Sequence, residues 1–370
     1  MRSRHVATVI IGAGQAGLSA AYHLRRRGVE CLVVDRISRI GDQWRERYDS
    51  LRLFTPASAD GLDGLRFPGY RQAFPTKDAM ADYLELYAQT HKLPVQLDSH
   101  VRRLTMGPDG GYVVEVDHKQ QRELMTCDSV VLAAGTFGQE PGLPPLADHL
   151  DPTIHQVHSI RYHGPADLPP GPVLVVGASH SGLDIALELG ADRETTLVGP
   201  ARGNLPVEWD SRFIHAAFPI IVFAFQHILT RRTPIGRRWV DKLRHHGVPQ
   251  FRVKAHHVQD RGVEWIQEHI VGVSSEGLPQ LANGRTFDVA AVVWATGIRH
   301  DYSWIDLPLP LDKGWPIEYR GVVDVLPGLY FVGLAFQYSI SSGEMNGVGR
   351  DAAYIAERIL RRQKVHAVVA

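Results

Sequence analysis

Cysteine is scarce in this sequence of 370 residues, and its scarcity limits the chemistry available to the protein. The two cysteines, Cys31 and Cys127, are too far apart to form a CxxC redox pair, and they are too few for a cysteine-rich zinc site. Two cysteines in so long a chain also favour a reducing compartment. We therefore predict that the protein is cytoplasmic.

Net charge and long apolar runs are also lacking. The 40 lysine and arginine residues are balanced by 40 aspartate and glutamate residues, so we predict no nucleic-acid partner. The apolar stretch at 213–229 is shorter than the ~20 residues of a membrane span and contains His215 and Pro219. The nineteen histidines include no HExxH spacing, and we predict no metal site.

Two segments of the chain repeat one plan, in which a strand, a glycine-rich turn, a helix and a second strand follow one another. The three regular elements are expected at 6–11, 15–27 and 31–34 in the first copy, and at 173–176, 183–189 and 195–198 in the second. This order is typical of the βαβ unit of dinucleotide-binding folds. The turns begin at Gly12 and Gly177, too far apart for a solenoid repeat, so we predict two related domains.

Proline and a repeated strand pattern indicate how the two domains are joined. Eight prolines between positions 141 and 172 mark a linker, because each fixes φ and removes a hydrogen-bond donor. The apolar run at 289–294, followed by Ala295-Thr296-Gly297, resembles the run at 130–134 that ends in Gly135. We interpret it as a linker strand that returns the chain to the first domain.

We therefore predict an α/β protein with two Rossmann-like dinucleotide-binding domains, one inserted in the other. The first domain comprises residues 1–160 and 290–370, and the second comprises residues 161–289, with an apolar and basic cap around 205–262. The cap is either a helical cover packed on the second domain with a solvated basic rim, or an apolar substrate entrance. In the second case, residues 213–262 could also make a peripheral membrane contact.

The first glycine motif, Gly12-x-Gly14-x-x-Gly17, follows a predicted strand and opens a predicted helix. Gly12 permits a tight turn, Gly14 lets a pyrophosphate approach the backbone, and Gly17 allows close packing of helix and strand. The free N–H groups of the helix N-terminus favour an anion there. Asp35 follows the second strand, where an acid accepts the ribose hydroxyls. The motif predicts a dinucleotide site.

The second motif has Ser179 where the first has its middle glycine. A pyrophosphate can still approach because serine is small and can donate its hydroxyl. No acid follows the second strand of this unit, and the chain continues Gly199-Pro200-Ala201-Arg202. An arginine at this place suits the 2′-phosphate of NADPH better than the free ribose of NADH.

Four segments of the sequence carry a family resemblance. They are Gly41-Asp42-Gln43-Trp44, residues 48–56 (YDSLRLFTP), residues 175–186 (VVGASHSGLDIA) and Ala295-Thr296-Gly297. In this order they resemble the flavin-containing monooxygenases, in the bacterial branch that is similar to the plant YUCCA enzymes. The sequence departs from one pattern of the family, FxGxxxHxxx(F/Y). His158 and Tyr162 match its second half, but Pro152 and Ile154 replace the phenylalanine and the glycine.

The resemblance implies two cofactors, FAD in the first domain and NADPH in the second. It places Gly12, Gly14, Gly17 and Asp35 at the adenosine diphosphate half of FAD, and Gln43, Trp44 and Arg52 near its ribityl and ring portions. It places Ser179, Ser181 and Arg202 at NADPH. The remaining cofactor-binding residues that we assign to these motifs are Gln15, Ala16, Arg36, Gly135, Gly177, His180, Ala295, Thr296, Gly297 and Gln337.

The reaction implied by the resemblance is the insertion of one oxygen atom from O2 into a small organic substrate, at nitrogen or sulfur, through a C4a-hydroperoxyflavin. No catalytic side chain is assigned, because the cofactor carries the difficult step. Exclusion of water is the main demand on the protein, and the segments 213–229 and Phe336-Gln337-Tyr338 are the candidates to meet it.

Three alternative functions share parts of this sequence pattern. A Baeyer–Villiger monooxygenase of ketones uses the same cofactor chemistry, although Tyr162 in place of tryptophan argues against it. A nucleotide-sensing flavoprotein without oxygenase activity is compatible with Ser179 and the altered segment at 152–162. A flavin disulfide reductase is disfavoured because Cys31 and Cys127 are far apart. The substrate and the oligomeric state stay open, and a homodimer is compatible with the sequence.

Overall fold

The computed structural model describes residues 2–108, 110–138, 140–201, 203, 212–246, 250 and 252–369. The α-helices in these ranges are Gln15–Arg26, Asp42–Arg45, Lys77–Thr90, His180–Leu189, Arg212–Phe223, Pro234–His246, Ala255–Gln259 and Met345–Val369. Short 3-10 turns lie at Ala57–Ala59, Pro145–His149 and Pro165–Asp167, and a π turn lies at Ala224–Ile228.

The first parallel sheet has five strands. Their order across the sheet is Leu329–Phe331, Ser129–Leu132, Thr8–Ile11, Leu32–Val34 and Val95–Gln96. Thr8–Ile11 is buried along its whole length, because helices cover one face of this sheet and the antiparallel strands that include Tyr112–His118 cover the other. This burial on both faces explains its unbroken apolar sequence. Helix Gln15–Arg26 packs against helix Met345–Val369.

The second parallel sheet repeats this architecture. Its strand order is His155–His158, Ala291–Trp294, Val173–Val176, Thr195–Val198 and Glu264–Ile266. Helix His180–Leu189 follows the central strand, as helix Gln15–Arg26 follows Thr8–Ile11 in the first sheet. The predicted α/β class with two Rossmann-like units is confirmed.

One predicted connection is wrong. Ala291–Trp294 does not join the first domain, because it pairs in register with Val173–Val176 on one side and with His155–His158 on the other. An apolar strand has no sequence feature that tells which of two parallel sheets it enters. His155–His158 also lies in the second sheet, although the prediction assigned residues 1–160 to the first domain. The domain division stays a prediction, with these two strands in the second unit.

A third sheet and three strand pairs complete the β structure of the described residues. The third sheet contains Arg2–His5, Gln121–Cys127, Tyr112–His118 and Ser99–Met106 in that order. The pairs are Ile270–Val273 with Pro279–Leu281, Glu140–Pro141 with Ile298–Arg299, and Leu311–Asp312 with Trp315–Pro316. The second of these pairs joins the two segments along which the chain crosses between the parallel sheets.

The helices Arg212–Phe223 and Pro234–His246 of the cap pack on the first unit, not on the second as one interpretation expected, whereas the end of the cap contacts the second unit through Arg252, 2.8 Å from Asp184. Phe218 on helix Arg212–Phe223 is buried against Phe54 and Phe74, which precede the first crossing of the chain. Leu243 on helix Pro234–His246 joins the apolar cluster that contains the first sheet's Phe331. The aromatic side chains of Phe54 and Phe74 therefore provide the apolar surface on which the cap helix packs.

Two cap arginines anchor it electrostatically. The guanidinium groups of Arg231 and Arg244 lie 2.7 and 2.8 Å from Oε1 of Glu318, whose side chain is fully buried. Other members of the cap face outward: the exposed residues include Ile220, Phe223, Ile228, Ile235, Arg232, Arg237, Arg238 and Lys242. Membrane contact through 213–262 stays a prediction. Within the described ranges, every helix is too short or too polar to cross a bilayer.

Candidate functional site

The first glycine turn is built as the motif predicts. Gly12 has φ +111°, and a Cβ on it would overlap the carbonyl oxygen of Ala133. A Cβ on Gly17 would in turn overlap the carbonyl oxygen of Gly12. Both positions therefore require glycine in order to bring helix and strand together.

The second turn reproduces these contacts. Gly177 has φ +109° and lies against the carbonyl oxygen of Ala295, while a Cβ on Gly182 would overlap the carbonyl oxygen of Gly177. The predicted residue Ala295 is thus buried and supports the turn, as Ala133 does in the first unit. The two motifs share one backbone architecture despite their different middle residues.

The middle residues of the two glycine motifs, Gly14 and Ser179, have nearly identical backbone dihedral angles. Gly14 has φ −77° and ψ −174°, and Ser179 has φ −94° and ψ −171°, so neither conformation requires glycine. A Cβ on Gly14 would meet only the side-chain Nε2 of Gln43, at 3.4 Å. The fold alone does not explain the glycine at position 14, but the need to leave space for a bound group explains it.

A cavity of about 540 Å³ lies in front of the first turn. Ten of the predicted cofactor-binding residues line it, and these are Gly12, Gly14, Gln15, Ala16, Asp35, Arg36, Gln43, Trp44, Gly135 and His180. Ile160 and Ile298, from the second unit and the returning linker, also line it. The cavity therefore lies where the two units meet.

Asp35 is held in place by the backbone. Its Oδ2 accepts a hydrogen bond from the amide of Ala13 at 2.5 Å, and its Oδ1 accepts one from the amide of Ile37 at 3.1 Å. The carboxylate thereby joins the glycine turn to the segment after the second strand, and it lines the cavity. A carboxylate has further lone pairs with which to accept ribose hydroxyls.

Gln43 gives a direct sign that the cavity takes a polar ligand. Both its side-chain Oε1 and Nε2 are buried and lack a hydrogen-bond partner among the described residues. Buried polar groups are nearly always paired, so an orphaned amide that faces a cavity indicates a missing partner. The helix after the turn adds free donors, since its first intrahelical bond runs from the amide of Leu18 to the oxygen of Gly14. These donors and the space at Gly14 fit the pyrophosphate of a dinucleotide.

The second helix opens on the same cavity. His180 is its first residue, lines the cavity, and stacks on Phe54 of the first unit with ring centroids 5.2 Å apart. Ser179 and Ser181 flank it and are partly exposed. Arg202, the predicted partner of a 2′-phosphate, lies outside the described residues.

Several predicted residues lie away from the cavity wall. The side chain of Arg52 is exposed and its guanidinium lies 3.4 Å from the oxygen of Phe74, whereas the neighbouring Leu51 and Leu53 face the cavity. Gln337 is fully buried, with its Oε1 accepting from the amide of Leu334 and its Nε2 unpaired. Thus the alternation of side chains in an extended segment turns Arg52 outward.

His158 supports the linker. Its Nε2 lies 2.9 Å from the oxygen of Gly297, and its Nδ1 accepts from the amide of Ile160 at 3.3 Å. Burial lowers the pKa of His158 below its ordinary value, so the imidazole is neutral and donates through Nε2. The hydrogen bond from His158 to the main-chain oxygen of Gly297 therefore holds the exposed linker residues Thr296 and Gly297 in place.

The sequence motifs missed four charged groups of this region. Glu46, Arg47 and Glu344 line the cavity, and Asp60 is fully buried nearby. Burial raises the pKa of Glu344 to about 7 and that of Asp60 to about 8. No sequence signal marks them, because each depends on a tertiary environment rather than on a spacing. Glu344 directly precedes helix Met345–Val369.

The cysteines are unsuited to thiol chemistry. Cys31 and Cys127 are both free and buried, and burial raises their pKa values to about 11 and about 12. A thiol that stays protonated at neutral pH is a poor nucleophile. Within the described ranges, no group of three or more His, Cys, Asp or Glu side chains is placed to hold a metal ion.

Replacement of Gly14 by alanine separates ligand binding from folding. We expect Gly14→Ala to weaken the FAD binding that the family resemblance implies on the order of 100-fold, or ~2.7 kcal/mol, because the methyl group occupies the approach of the pyrophosphate. The free energy of unfolding of the FAD-free protein should change by less than about 0.5 kcal/mol. Quenching of flavin fluorescence measures the affinity, and unchanged affinity would refute this role of Gly14.

Comparison with known proteins gives the family. Residues 9–213 match the family model described as pyridine nucleotide-disulphide oxidoreductase. A CzcO-like oxidoreductase of Geobacillus kaustophilus is 38% identical over 368 residues, which cover 96% of this chain and 99% of that protein. The probable indole-3-pyruvate monooxygenase YUCCA9 of Arabidopsis thaliana is 30% identical over 185 residues, 49% of this chain and 44% of that enzyme.

The fold similarity extends over the whole chain. A flavin-containing monooxygenase from Stenotrophomonas maltophilia superimposes with a TM-score of 0.75 at 24% identity, covering 98% of this chain and 99% of that one. This likeness shows the fold, and together with the sequence matches it confirms the resemblance to flavin monooxygenases. The chain belongs to the pyridine nucleotide-disulphide oxidoreductase family, and within it to oxidoreductases similar to the CzcO-like protein.

Proposed function

We propose that the protein is an FAD-dependent, NADPH-consuming monooxygenase that inserts one oxygen atom from O2 into the nitrogen or sulfur of a small organic substrate. One observation carries the proposal: Gly14 and His180, which begin the helices of two separate dinucleotide motifs, open on the same cavity. Two nucleotides bound there would bring their reactive ends together. The similarity to named monooxygenases supports the choice of reaction.

The chain's own residues would bind and orient the cofactors. The amides that follow Gly14 would hold the FAD pyrophosphate, Asp35 would accept the ribose hydroxyls, and the free amide of Gln43 would pair with an adjacent polar group. Bound FAD supplies hydride acceptance and oxygen activation, chemistry that no side chain can provide. The protein's task is then to position both nucleotides.

Exclusion of water falls to apolar residues at one end of the cavity. Leu51, Leu53, Phe54 and Ile340 line it, and the cap residue Phe218 packs over Phe54 from outside. A dry wall protects a reactive oxygen species from hydrolysis and strengthens electrostatic interactions. Of the two segments predicted for this task, 213–229 supplies the cover, whereas Phe336 is buried away from the cavity wall.

Preference for NADPH over NADH is proposed from Arg202. We expect Arg202→Ala to slow flavin reduction by NADPH at low concentration about 10- to 100-fold, because a charged hydrogen bond to the 2′-phosphate contributes roughly 1.5–3 kcal/mol. Reduction by NADH should be unchanged. Anaerobic stopped-flow absorbance measures both rates. Equal rates for the two nucleotides, unaffected by the substitution, would contradict the preference.

The proposed reaction is tested by NADPH consumption with amines, sulfides and ketones under 18O2. Oxygenated amines or sulfides that carry one 18O atom support the proposal. Labelled esters or lactones from ketones would instead indicate a Baeyer–Villiger monooxygenase. Flavin that is reduced by NADPH but transfers no oxygen to any substrate would favour the nucleotide-sensing alternative.

Size-exclusion chromatography with light scattering decides whether the protein is a homodimer.

A further inference from the structure

Arg47 is a positively charged residue at the cavity that none of the sequence motifs predicted. Arg47 lines the cavity two residues after the short helix Asp42–Arg45. The next residue, Tyr48, is buried and donates a hydrogen bond from its Oη to Oδ2 of Asp184 at 3.0 Å. Because Asp184 lies on the first helix of the second unit, Tyr48 fixes the main chain beside Arg47 at the junction of the two units.

The guanidinium of Arg47 has no hydrogen bond or ion pair with any residue that the structure describes. Its Nε is buried and unpaired. Arg45, two residues earlier, contrasts with it, since its terminal nitrogens lie 2.7 to 3.3 Å from three carboxylates. Burial lowers the pKa of Arg47, but arginine stays charged at neutral pH. A charged group that is partly removed from water and has no partner for its buried Nε is costly, so an anion is expected beside it.

The protein's nearby carboxylates do not supply that anion. Both oxygens of Asp35 accept backbone amides, and Glu344 and the exposed Glu46 line the same cavity without forming an ion pair among the described residues. Asp184 is already paired with Arg252 at 2.8 Å and with Tyr48. The missing partner must therefore come from a molecule in the cavity.

The position of Arg47 places this partner close to the linker. Besides burial, the positive charge of Arg47 contributes to the lowered pKa of His158, whose Nε2 contacts Gly297. Ile160 and Ile298 line the cavity in the same region of the chain. An anion bound to Arg47 would thus lie between the units, and not at the ribose-binding carboxylate of Asp35.

We propose that Arg47 binds an oxyanion, a phosphate or a carboxylate group, of a molecule held where the two dinucleotide-binding units meet. The source is a phosphate of FAD, a phosphate of NADPH or a carboxylate of the substrate, and all three present the planar or tetrahedral oxygens that a guanidinium binds in bidentate fashion. The proposal requires that the cavity bind an anionic molecule, but it does not depend on oxygen transfer.

Two substitutions and one matched control test it. Arg47→Met removes the charge and keeps much of the side-chain volume, whereas Arg47→Lys keeps the charge and loses the bidentate geometry. The control Arg161→Met removes an exposed arginine whose charge also acts on His158. In each variant, FAD affinity is measured by flavin fluorescence and NADP+ affinity by difference absorbance of the FAD-loaded protein. Inhibition of NADPH oxidation by benzoate and by its uncharged analogue benzamide reports on a carboxylate site.

We expect Arg47→Met to weaken one of these three interactions about 10- to 100-fold, Arg47→Lys to restore most of it, and Arg161→Met to leave all three unchanged. The affected ligand identifies the source: FAD, NADP+, or benzoate with no effect on benzamide. Affinities within twofold of the unsubstituted protein for all three would overturn the proposal. If Arg47→Met is not recovered folded, Arg47→Gln replaces it. These binding measurements stay informative even if no substrate is oxygenated.

Discussion

Gly17→Ala will destabilise the first unit by about 4 kcal/mol or more. The added methyl group would overlap the carbonyl oxygen of Gly12, a main-chain atom that cannot move without breaking the turn. The same argument applies to Gly182→Ala, where the obstacle is the carbonyl oxygen of Gly177. A loss of this size lowers Tm by roughly 10 °C in a domain of such length. Thermal unfolding followed by circular dichroism measures it.

The matched control is Gly272→Ala, in strand Ile270–Val273. A Cβ there has nothing within 4 Å and its φ is not positive, so the substitution should leave Tm nearly unchanged. If Gly17→Ala and Gly272→Ala unfolded at the same temperature, the close approach of helix and turn would not be what determines stability. Comparison with Gly14→Ala, which should fold normally, separates the packing glycine from the ligand glycine.

Asp60→Asn will remove the largest single part of the decrease in the free energy of unfolding that occurs as pH rises. Burial, together with the nearby Glu344, raises the pKa of Asp60 from 3.8 to about 8, although its Oδ1 accepts a hydrogen bond from Thr55. The folded state therefore binds the proton more tightly than the unfolded state, and the free energy of unfolding falls between about pH 4 and pH 8. The full shift corresponds to a loss on the order of 5 kcal/mol.

Urea unfolding at pH 5 and at pH 8.5 measures this effect. For the unsubstituted protein, the free energy of unfolding should be several kcal/mol lower at the higher pH. In Asp60→Asn the difference should shrink to the part that Glu344 and Asp351, with pKa values of about 7 and about 6, contribute. The exposed Asp324 serves as the control, and Asp324→Asn should keep the full difference. A pH dependence that is identical in all three proteins would show that Asp60 ionises as freely as in water.

The parts of the fold that follow from local chemistry were predictable. Thr8–Ile11, Val173–Val176 and Thr195–Val198 lie where apolar runs end in glycine turns, because the turn itself needs glycine. The sheet that Ala291–Trp294 joins was not predictable, since its four apolar residues would be equally buried in either sheet. The surface that the cap covers was missed for a similar reason: it depends on Phe54 and Phe74, which are distant in sequence.

The candidate site shows the same division. Ten predicted residues line the cavity, and five of them belong to the two glycine motifs, which encode turns in its wall. The other five come from the end of the second strand, the family segment at 41–44 and Gly135. Arg52 was misjudged because a family segment tells which residues are near a ligand, but not which of two alternating side chains points inward. Arg47 could not be found at all, since the absence of a partner is a property of three-dimensional surroundings.

The pairing of Glu140–Pro141 with Ile298–Arg299 bears on how nucleotides enter and leave. Both passages of the chain between the units run through this one ribbon, which main-chain hydrogen bonds hold together, including one from the amide of Gly142 to the oxygen of Gly297 at 2.9 Å. Two bodies tethered at a single ribbon pivot about it more readily than they separate or slide. A rotation that opened the cavity for nucleotide release would have to break the hydrogen bond between Tyr48 and Asp184 and the stacking of His180 on Phe54, while the ribbon and both parallel sheets stayed intact.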